Sequence, residues 1–297
     1  MDDQSRFDRI GIFGLGLMGG SIALAARRAW PEASLSGVDI DEEVVREALR
    51  RRIVDEGSTG IEALVGADLV VLAAPVLANI AALAALAKQG GEGALLTDAG
   101  STKRCMLAAA RAAGCQRRFV GGHPLAGIAL GGLAHASGDL FAGRKWLITP
   151  EDETPPAEVA RLRRFVSGLG AIPHALSAED HDRVMAAVSH LPQLVASALM
   201  QVAGEMAGEE GLALAGPGLA DTTRLASSPA DIWKDICATN ADHVSRALGE
   251  MIGALQGLRD DLPDGDLLGR LFAGAHGWRD RLRPPEKAWP DKTSWAT

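Results

Sequence analysis

The sequence predicts an α/β protein in two parts: a largely parallel sheet covered by helices, followed by an all-α region. Three observations carry this. Apolar strand-like runs alternate with helix-like segments through roughly the first half of the chain. A glycine-rich turn joins the first strand to the first helix. After Pro155-Pro156 the pattern changes, and the chain soon becomes almost entirely helical.

Arg9-Ile10-Gly11-Ile12-Phe13 is a short apolar strand running into Gly14-Leu15-Gly16-Leu17-Met18-Gly19 and then a helix beginning near Ser21. A second strand starts at Leu35 and carries Asp39 at its end. Strand, G-x-G-x-x-G, helix, strand and acid follow at about the spacing of a dinucleotide fingerprint, so the sheet reads as Rossmann-type. Gly14 permits the tight turn, Gly16 lets backbone approach a pyrophosphate, and Gly19 lets helix and strand pack closely. The phosphates would sit on the helix N-terminus. Asp39 would accept hydrogen bonds from the adenosine ribose and repel a 2′-phosphate, which favours NAD over NADP. The expected cofactor set is Gly14, Leu15, Gly16, Leu17, Met18, Gly19 and Asp39, with Ala74, Pro75 and Ser101 from neighbouring strand ends. A glycine turn in some other α/β protein is the competing reading.

The alternation continues. A helix is expected over 41–52, with acids in its first turn and arginines in its last. Strands follow over 67–75, 94–101, 119–122 and 145–150, with helices over 76–88, 103–113 and 157–169. Their uninterrupted apolar character fits a sheet covered on both faces. The Gly/Ala-rich loop over 128–143 is placed as a cover for the site. A short extended piece over 172–176 precedes His181–Met206, a long helix too apolar all round for a surface element. It reads as buried or as a subunit interface. More helix is expected over 231–259 and 267–283. The expected domains are 1–175 (NAD-binding) and 176–284 (helical), with a loosely ordered tail over 285–297 containing prolines.

Bulk composition narrows the function classes. The 297 residues are long enough for two domains, and 47% hydrophobic with 23% charged residues is ordinary for a globular protein. A formal charge of −8 without a basic patch argues against nucleic-acid or anionic-membrane partners. Cys105, Cys115 and Cys237 match no metal-ligand spacing, and so sparse an odd set fits a reducing compartment. The acidic start lacks a signal-peptide pattern, and apolar stretches such as 194–206 read as too short or interrupted to span a bilayer. A cytoplasmic enzyme without metal is expected. Tyrosine is absent, so acid–base chemistry falls to histidine and carboxylate.

Four stretches carry candidate chemistry. His123, in Gly121-Gly122-His123-Pro124-Leu125-Ala126-Gly127, stands where a strand meets a Gly/Pro loop. It points into the ligand crevice, or it is packed beneath the turn. Ser101, in Asp98-Ala99-Gly100-Ser101-Thr102-Lys103, either caps the next helix or offers its hydroxyl to cofactor and substrate. Ser101 and His123 on adjacent strand ends would make a hydroxyl–imidazole pair. In Ser189-His190-Leu191-Pro192-Gln193, the proline marks a kink, and His190 and Gln193 share one face of an apolar helix. A substrate or a neighbouring helix must satisfy them. Arg224, in the polar segment beginning Asp221-Thr222-Thr223, is a carboxylate clamp or a solvated surface residue.

These segments, with His181-Asp182 and Pro229-Ala230-Asp231-Ile232-Trp233, resemble the prephenate/arogenate dehydrogenases of tyrosine biosynthesis over nearly the whole chain. The GGHPLAG and SHLP segments are together far more specific than the glycine loop. The resemblance implies a Rossmann domain followed by an all-α dimerisation domain, hence a homodimer. It also implies oxidative decarboxylation of prephenate to 4-hydroxyphenylpyruvate with hydride passing to NAD. His123 matches the catalytic histidine, Ser101 the serine that orients it, Arg224 the arginine that binds a substrate carboxylate, and His190 a residue of the substrate-facing helix. Two positions depart from the family. Gln193 stands where many relatives carry histidine near the substrate side chain, and offers no counter-charge to the ammonium of arogenate. Ala129 stands where some relatives place a gating acid. No regulatory domain is expected after the helices. An arogenate or mixed cyclohexadienyl dehydrogenase is the nearest rival. A β-hydroxyacid dehydrogenase would need a catalytic lysine where SHLP stands, and a catalytically idle NAD-binding regulator would not need Ser101, His123 and Arg224 intact.

Overall fold

A computed structural model describes residues 7–89, 93–127 and 130–282. The expected tail over 285–297 and Ala129 lie outside the described residues. Among the described residues, eight strands form one sheet in the order β3-β2-β1-β4-β5-β6-β7-β8. β1 (Arg9–Phe13), β2 (Ser34–Val38), β3 (Glu56–Ser58), β4 (Leu69–Leu72), β5 (Leu95–Asp98) and β6 (Phe119–Pro124) run parallel. β7 (Lys145–Thr149) is antiparallel to β6, and β8 (Ile172–Ala175) is parallel to β7.

The apolar strands feed two cores. Successive strand residues face opposite sides, so Leu69 and Val71 join one core while Val70 and Leu72 join the other. The first core takes side chains from α1 (Leu17–Ala29), α2 (Glu42–Arg50) and α5 (Pro156–Gly168). The second takes them from α3 (Val76–Lys88) and α4 (Arg104–Ala112). Helices on both sides explain why the strands are apolar without alternation. Strand order reverses between β1 and β4, and the crevice beyond their carboxyl ends is where such sheets bind ligands.

The helical region opens with α6 (Ala178–Met185), a π-helical turn over Ala186–His190, and α7 (Leu191–Leu212). The irregularity expected from Pro192 lies just before it. Proline has no N–H to give the preceding turn, and the wider turn absorbs the mismatch. Gly208 then interrupts α7 at φ 64°. The run Ala178–Leu212 contains an 18-residue window of mean hydropathy 1.2 and is long and apolar enough by length and composition to cross a membrane. That corrects the expectation that the apolar stretches are too short or interrupted. α8 (Pro217–Thr222), α9 (Ala230–Thr239), α10 (Ala241–Asp261) and α11 (Asp266–Arg281) follow.

The chain forms two compact units, one reaching Val244 and one starting at Ser245. The boundary read from sequence, at 175, falls at the end of β8 inside the first unit. In the second, the chain turns through Gly265 at φ 78° into α11, and the Asp261 carboxylate accepts from Leu268 N–H at 2.9 Å. The short polar β3 and α8 are additions to the sequence reading.

Candidate active site

The glycine turn is built by packing necessity. Gly14 adopts φ 89°, where a side chain is strained, and a Cβ there would lie 2.7 Å from the Ala74 nitrogen. A Cβ on Gly19 would come within 1.8 Å of the Gly14 carbonyl oxygen. At Gly16, by contrast, a Cβ would meet nothing within 4 Å, so the backbone there is open to a ligand. α1 starts at Leu17 with no side-chain cap, which leaves the N–H groups of its first turn available to phosphate. Asp39 accepts from Leu15 N–H at 2.7 Å and from Asp41 N–H at 3.0 Å. A carboxylate has further lone pairs for a ribose hydroxyl. The residues present therefore fit a dinucleotide.

Gly16, Leu17, Met18, Ala74, Pro75 and Ser101 line one cavity of about 300 Å³. Leu130 and Gly131 also reach it, as the expected covering loop should. Its far wall is helical: Pro229 and, from α9, Ile232, Asp235 and Ile236. Ser101 does not cap α4. The residue before that helix is Lys103, and the N–H groups of Lys103 and Arg104 are taken by the Asp182 carboxylate at 2.8 and 3.0 Å. Ser101 is thereby left facing the cavity.

Ser101 and His123 are set by one buried carboxylate. Asp98, at the end of β5, accepts from Gly100 N–H at 2.9 Å and from Gly122 N–H at 3.0 Å. Each glycine immediately precedes a candidate residue. Lys103 closes the clamp from within, its ammonium bonded to Asp98 and to the Gly122 carbonyl at 2.7 Å, with both side chains fully buried. Removing one partner of such a pair leaves a buried uncompensated charge and typically costs about 3–5 kcal/mol.

His123 sits at the penultimate position of β6, partly buried. Its Nδ1 lies 2.9 Å from Nε2 of His181, and His181 Nδ1 lies 2.8 Å from Oδ1 of Asp182. Burial pushes the His123 imidazole well below its ordinary range, and the neighbouring His181, Lys103 and His190 push the same way. His181 is also lowered by burial, with Asp182 partly opposing. Burial raises Asp182, but hydrogen bonds from His181, Arg104 and Lys103 more than offset this and hold it below the usual carboxylate range. Arg104 extends the cluster to Asn240 at 3.1 Å and to Asp242. His181, Asp182, Asp98 and Lys103 are site residues that reasoning from composition and spacing missed. The signal was present: adjacent His181 and Asp182 at the head of an apolar helix need a partner.

The substrate candidates on the helices are placed separately. His190 is buried, 3.4 Å from the Asn240 amide and edge-on to Trp233 with ring centroids 6.1 Å apart. Burial holds its pKa down at about 4. Gln193 is also buried. It donates to the Leu225 carbonyl at 2.8 Å and accepts from Ser228 Oγ at 3.2 Å, fastening the segment that carries Arg224. Arg224 is exposed, and its guanidinium has no hydrogen-bond or ion-pair partner among the described residues, while its carbonyl accepts from Ser227 Oγ at 3.2 Å. His123, His190, Gln193 and Arg224 are not among the cavity-lining residues, whereas Ser101 is.

Comparison with known proteins agrees with this arrangement. Residues 22–173 match the family model described as prephenate dehydrogenase, nucleotide-binding domain, and residues 177–272 match prephenate dehydrogenase, dimerization domain. The chain is 34% identical to prephenate dehydrogenase of Bacillus subtilis (strain 168), covering 93% of this chain and 76% of that protein. It is 31% identical to cyclohexadienyl dehydrogenase of Zymomonas mobilis, covering 88% and 92%. The crystal structure of prephenate dehydrogenase from A. aeolicus with hydroxyphenyl propionate and NAD+ superposes with a TM-score of 0.86 at 30% identity, covering 94% of this chain and 99% of that one. A Rossmann-type domain with an open glycine turn, a histidine on the next strand ends and a helical continuation thus coincide with two family models over most of the length: the chain belongs to the prephenate dehydrogenase family.

Proposed function

We propose that this protein is an NAD-dependent prephenate dehydrogenase of tyrosine biosynthesis, converting prephenate to 4-hydroxyphenylpyruvate and CO2. The single observation that carries the chemistry is the clamp at Asp98, which fixes the strand ends bearing Ser101, a lining residue of the cavity, and His123 next to each other. Gly14, Leu15, Gly16, Leu17, Met18, Gly19, Asp39, Ala74, Pro75 and Ser101 hold NAD, which accepts hydride when bound. His123 Nε2 takes the proton of the ring hydroxyl. Ser101 orients that hydroxyl. Loss of CO2 makes the ring aromatic, so the protein has mainly to hold the reacting groups in line and remove one proton. Arg224, exposed and unpaired, binds a substrate carboxylate in the bidentate manner suited to guanidinium. His190 faces the substrate from its helix, and Gln193 sets the position of Arg224.

Prephenate is favoured over arogenate because Gln193, neutral and engaged by Leu225 and Ser228, brings no negative charge to meet an ammonium group. The similarity to the Zymomonas cyclohexadienyl dehydrogenase supports mixed specificity as the second reading. We assign a cytoplasmic homodimer with no nucleic-acid or membrane partner. Support comes from three free cysteines, the charge of −8, and exposed apolar side chains on α7.

NADH formation from prephenate and from arogenate, with and without tyrosine, tests the assignment. Prephenate should be the better substrate, and His123→Asn should lower kcat by about 10²–10⁴-fold while leaving NAD affinity within a few-fold. Retained turnover in that variant rules out the role given to His123. In the unaltered enzyme, kcat/KM should fall on the acid side as His123 protonates, below the ordinary imidazole range because burial lowers its pKa. A flat acid limb counts against the same role.

A further inference from the structure

Asp182 is the origin of a directed hydrogen-bond chain. Its Oδ1 accepts from Lys103 N–H at 2.8 Å and its Oδ2 from Arg104 N–H at 3.0 Å and Nε at 3.2 Å. A carboxylate with such partners is acceptor-only, so the His181 nitrogen facing it, Nδ1, must carry hydrogen. Neutral His181 then presents a lone pair at Nε2. Among the described residues the atom that meets it is His123 Nδ1, 2.9 Å away, which must in turn carry hydrogen. His123 is left with its lone pair on Nε2, the one ring nitrogen without a hydrogen-bond partner among the described residues.

We propose that His181 and Asp182 are positioning residues that fix His123 as the Nδ1–H tautomer and take up the proton it gains. The inference rests on His123 being the base of the proposed reaction. When His123 Nε2 accepts a proton, the hydrogen on its Nδ1 passes to His181 Nε2, and the positive charge comes to rest on His181 against Asp182. At His123 one N–H bond forms, at Nε2, and one breaks, at Nδ1; at His181 one forms, at Nε2, and none breaks, so the imidazolium stays there and no electrons change hands. His123 thereby returns to neutrality without exchanging a proton with solvent. The same carboxylate holds the α4 N-terminus, so docking of α6 onto the sheet and activation of His123 are one event.

The charged and titratable groups facing this pair are few. Lys103 and Arg104 lie at the start of α4, Asp98 at the end of β5, Asp182 on α6 and His190 on the π turn. Lys103 is neutralised by Asp98 and Arg104 by Asp182 and Asp242. Asp182 is the carboxylate hydrogen-bonded to the His181 imidazole, and through His181 it reaches His123.

The test uses the full chain with ¹⁵N-labelled histidine, His123 being assigned by difference from His123→Asn. His181→Gln keeps an acceptor oxygen for Nδ1–H but cannot take the proton. His181→Leu offers neither. The unaltered enzyme and His181→Gln should show His123 protonated at Nδ1, while His181→Leu should show the other tautomer or a mixture. At saturating prephenate, kcat should fall about 10²-fold in His181→Leu, with His181→Gln intermediate and KM little changed. In Asp182→Asn, loss of the carboxylate that supports His181 protonation should move the acid limb of kcat/KM down by about one pH unit. A His123 that stays Nδ1-protonated in His181→Leu with kcat near that of the unaltered enzyme overturns the proposal. So does an unmoved acid limb in Asp182→Asn. The tautomer measurement needs no substrate. If the unaltered enzyme fails to oxidise prephenate, the functional assignment falls and the spectra still decide the positioning role.

Discussion

Three imidazoles, His123, His181 and His190, sit where burial depresses protonation, and each therefore bears on stability as well as chemistry. His190 gives the clearest case, with a pKa of about 4 against an ordinary 6.5. A histidine that resists protonation only in the folded state adds no penalty above pH 6.5. Below that, the unfolded chain binds a proton that the folded chain refuses, and stability drains away until the folded group titrates too. Urea unfolding of the protein should give a midpoint that falls steadily from about pH 6.5 toward 4. His190→Asn should show a shallower fall over the same window. Parallel pH curves for the two proteins count against the burial of His190. Candidate residues were partly legible beforehand: His123, Ser101 and Arg224 stand out through strand-end placement or motif. The Lys103–Asp182 link did not, because it joins positions 79 apart at the N-terminus of α4. No local pattern states which helix end a distant carboxylate will satisfy.

At the level of elements, long periodic or uninterrupted apolar segments were readable because their burial dominates. Helix α3 begins and ends where its pattern does, and the core strands differ from expectation mainly at their frayed ends. β3 was not readable, since Glu56-Gly57-Ser58 has no apolar pattern and is held by pairing to β2. Nor was the reversal at β7, which depends on what the neighbouring strand offers rather than on residues 145–149 themselves. Between α9 and α10 an expected continuous helix breaks at Asn240. Its side chain is committed to the Asp182 carbonyl at 2.8 Å and lies near His190. The single turn over Arg224–Ser227 is likewise held from outside, by Gln193. Replacing Gln193 with Ala removes a buried amide and leaves the Leu225 carbonyl and Ser228 hydroxyl with one partner fewer, costing about 1–3 kcal/mol. Because the loss loosens the segment bearing Arg224, KM for prephenate should rise several-fold while kcat changes little. A lower kcat at unchanged KM points instead to a role in the chemical step.

For the whole molecule, the deciding feature is how much apolar surface each compact unit leaves uncovered. In the first, Val202 and Met206 of α7 are 51% and 83% exposed, on a helix the sequence marked as too apolar for solvent. In the second, Phe272 and Trp278 of α11 are 67% and 71% exposed. Isolated apolar residues on a surface are ordinary, but large aromatic and aliphatic groups recurring along helices signal a partner surface. The membrane-like composition of Ala178–Leu212 has the same origin in this reading. Its first half packs His181, Asp182 and His190 into the site, and its exposed second half is the surface that the proposed homodimer would use. A two-fold arrangement lets one patch serve both subunits, and obligate homodimers commonly bury about 2,000 Å² or more. Sedimentation equilibrium should accordingly return twice the chain mass at micromolar concentration. Met206→Asp combined with Val202→Asp places charges in that contact and should shift the protein toward monomer. A single-chain mass for the unaltered protein at tens of micromolar overturns the homodimer. A double variant that still sediments as a dimer moves the contact off α7 and onto the helices that follow.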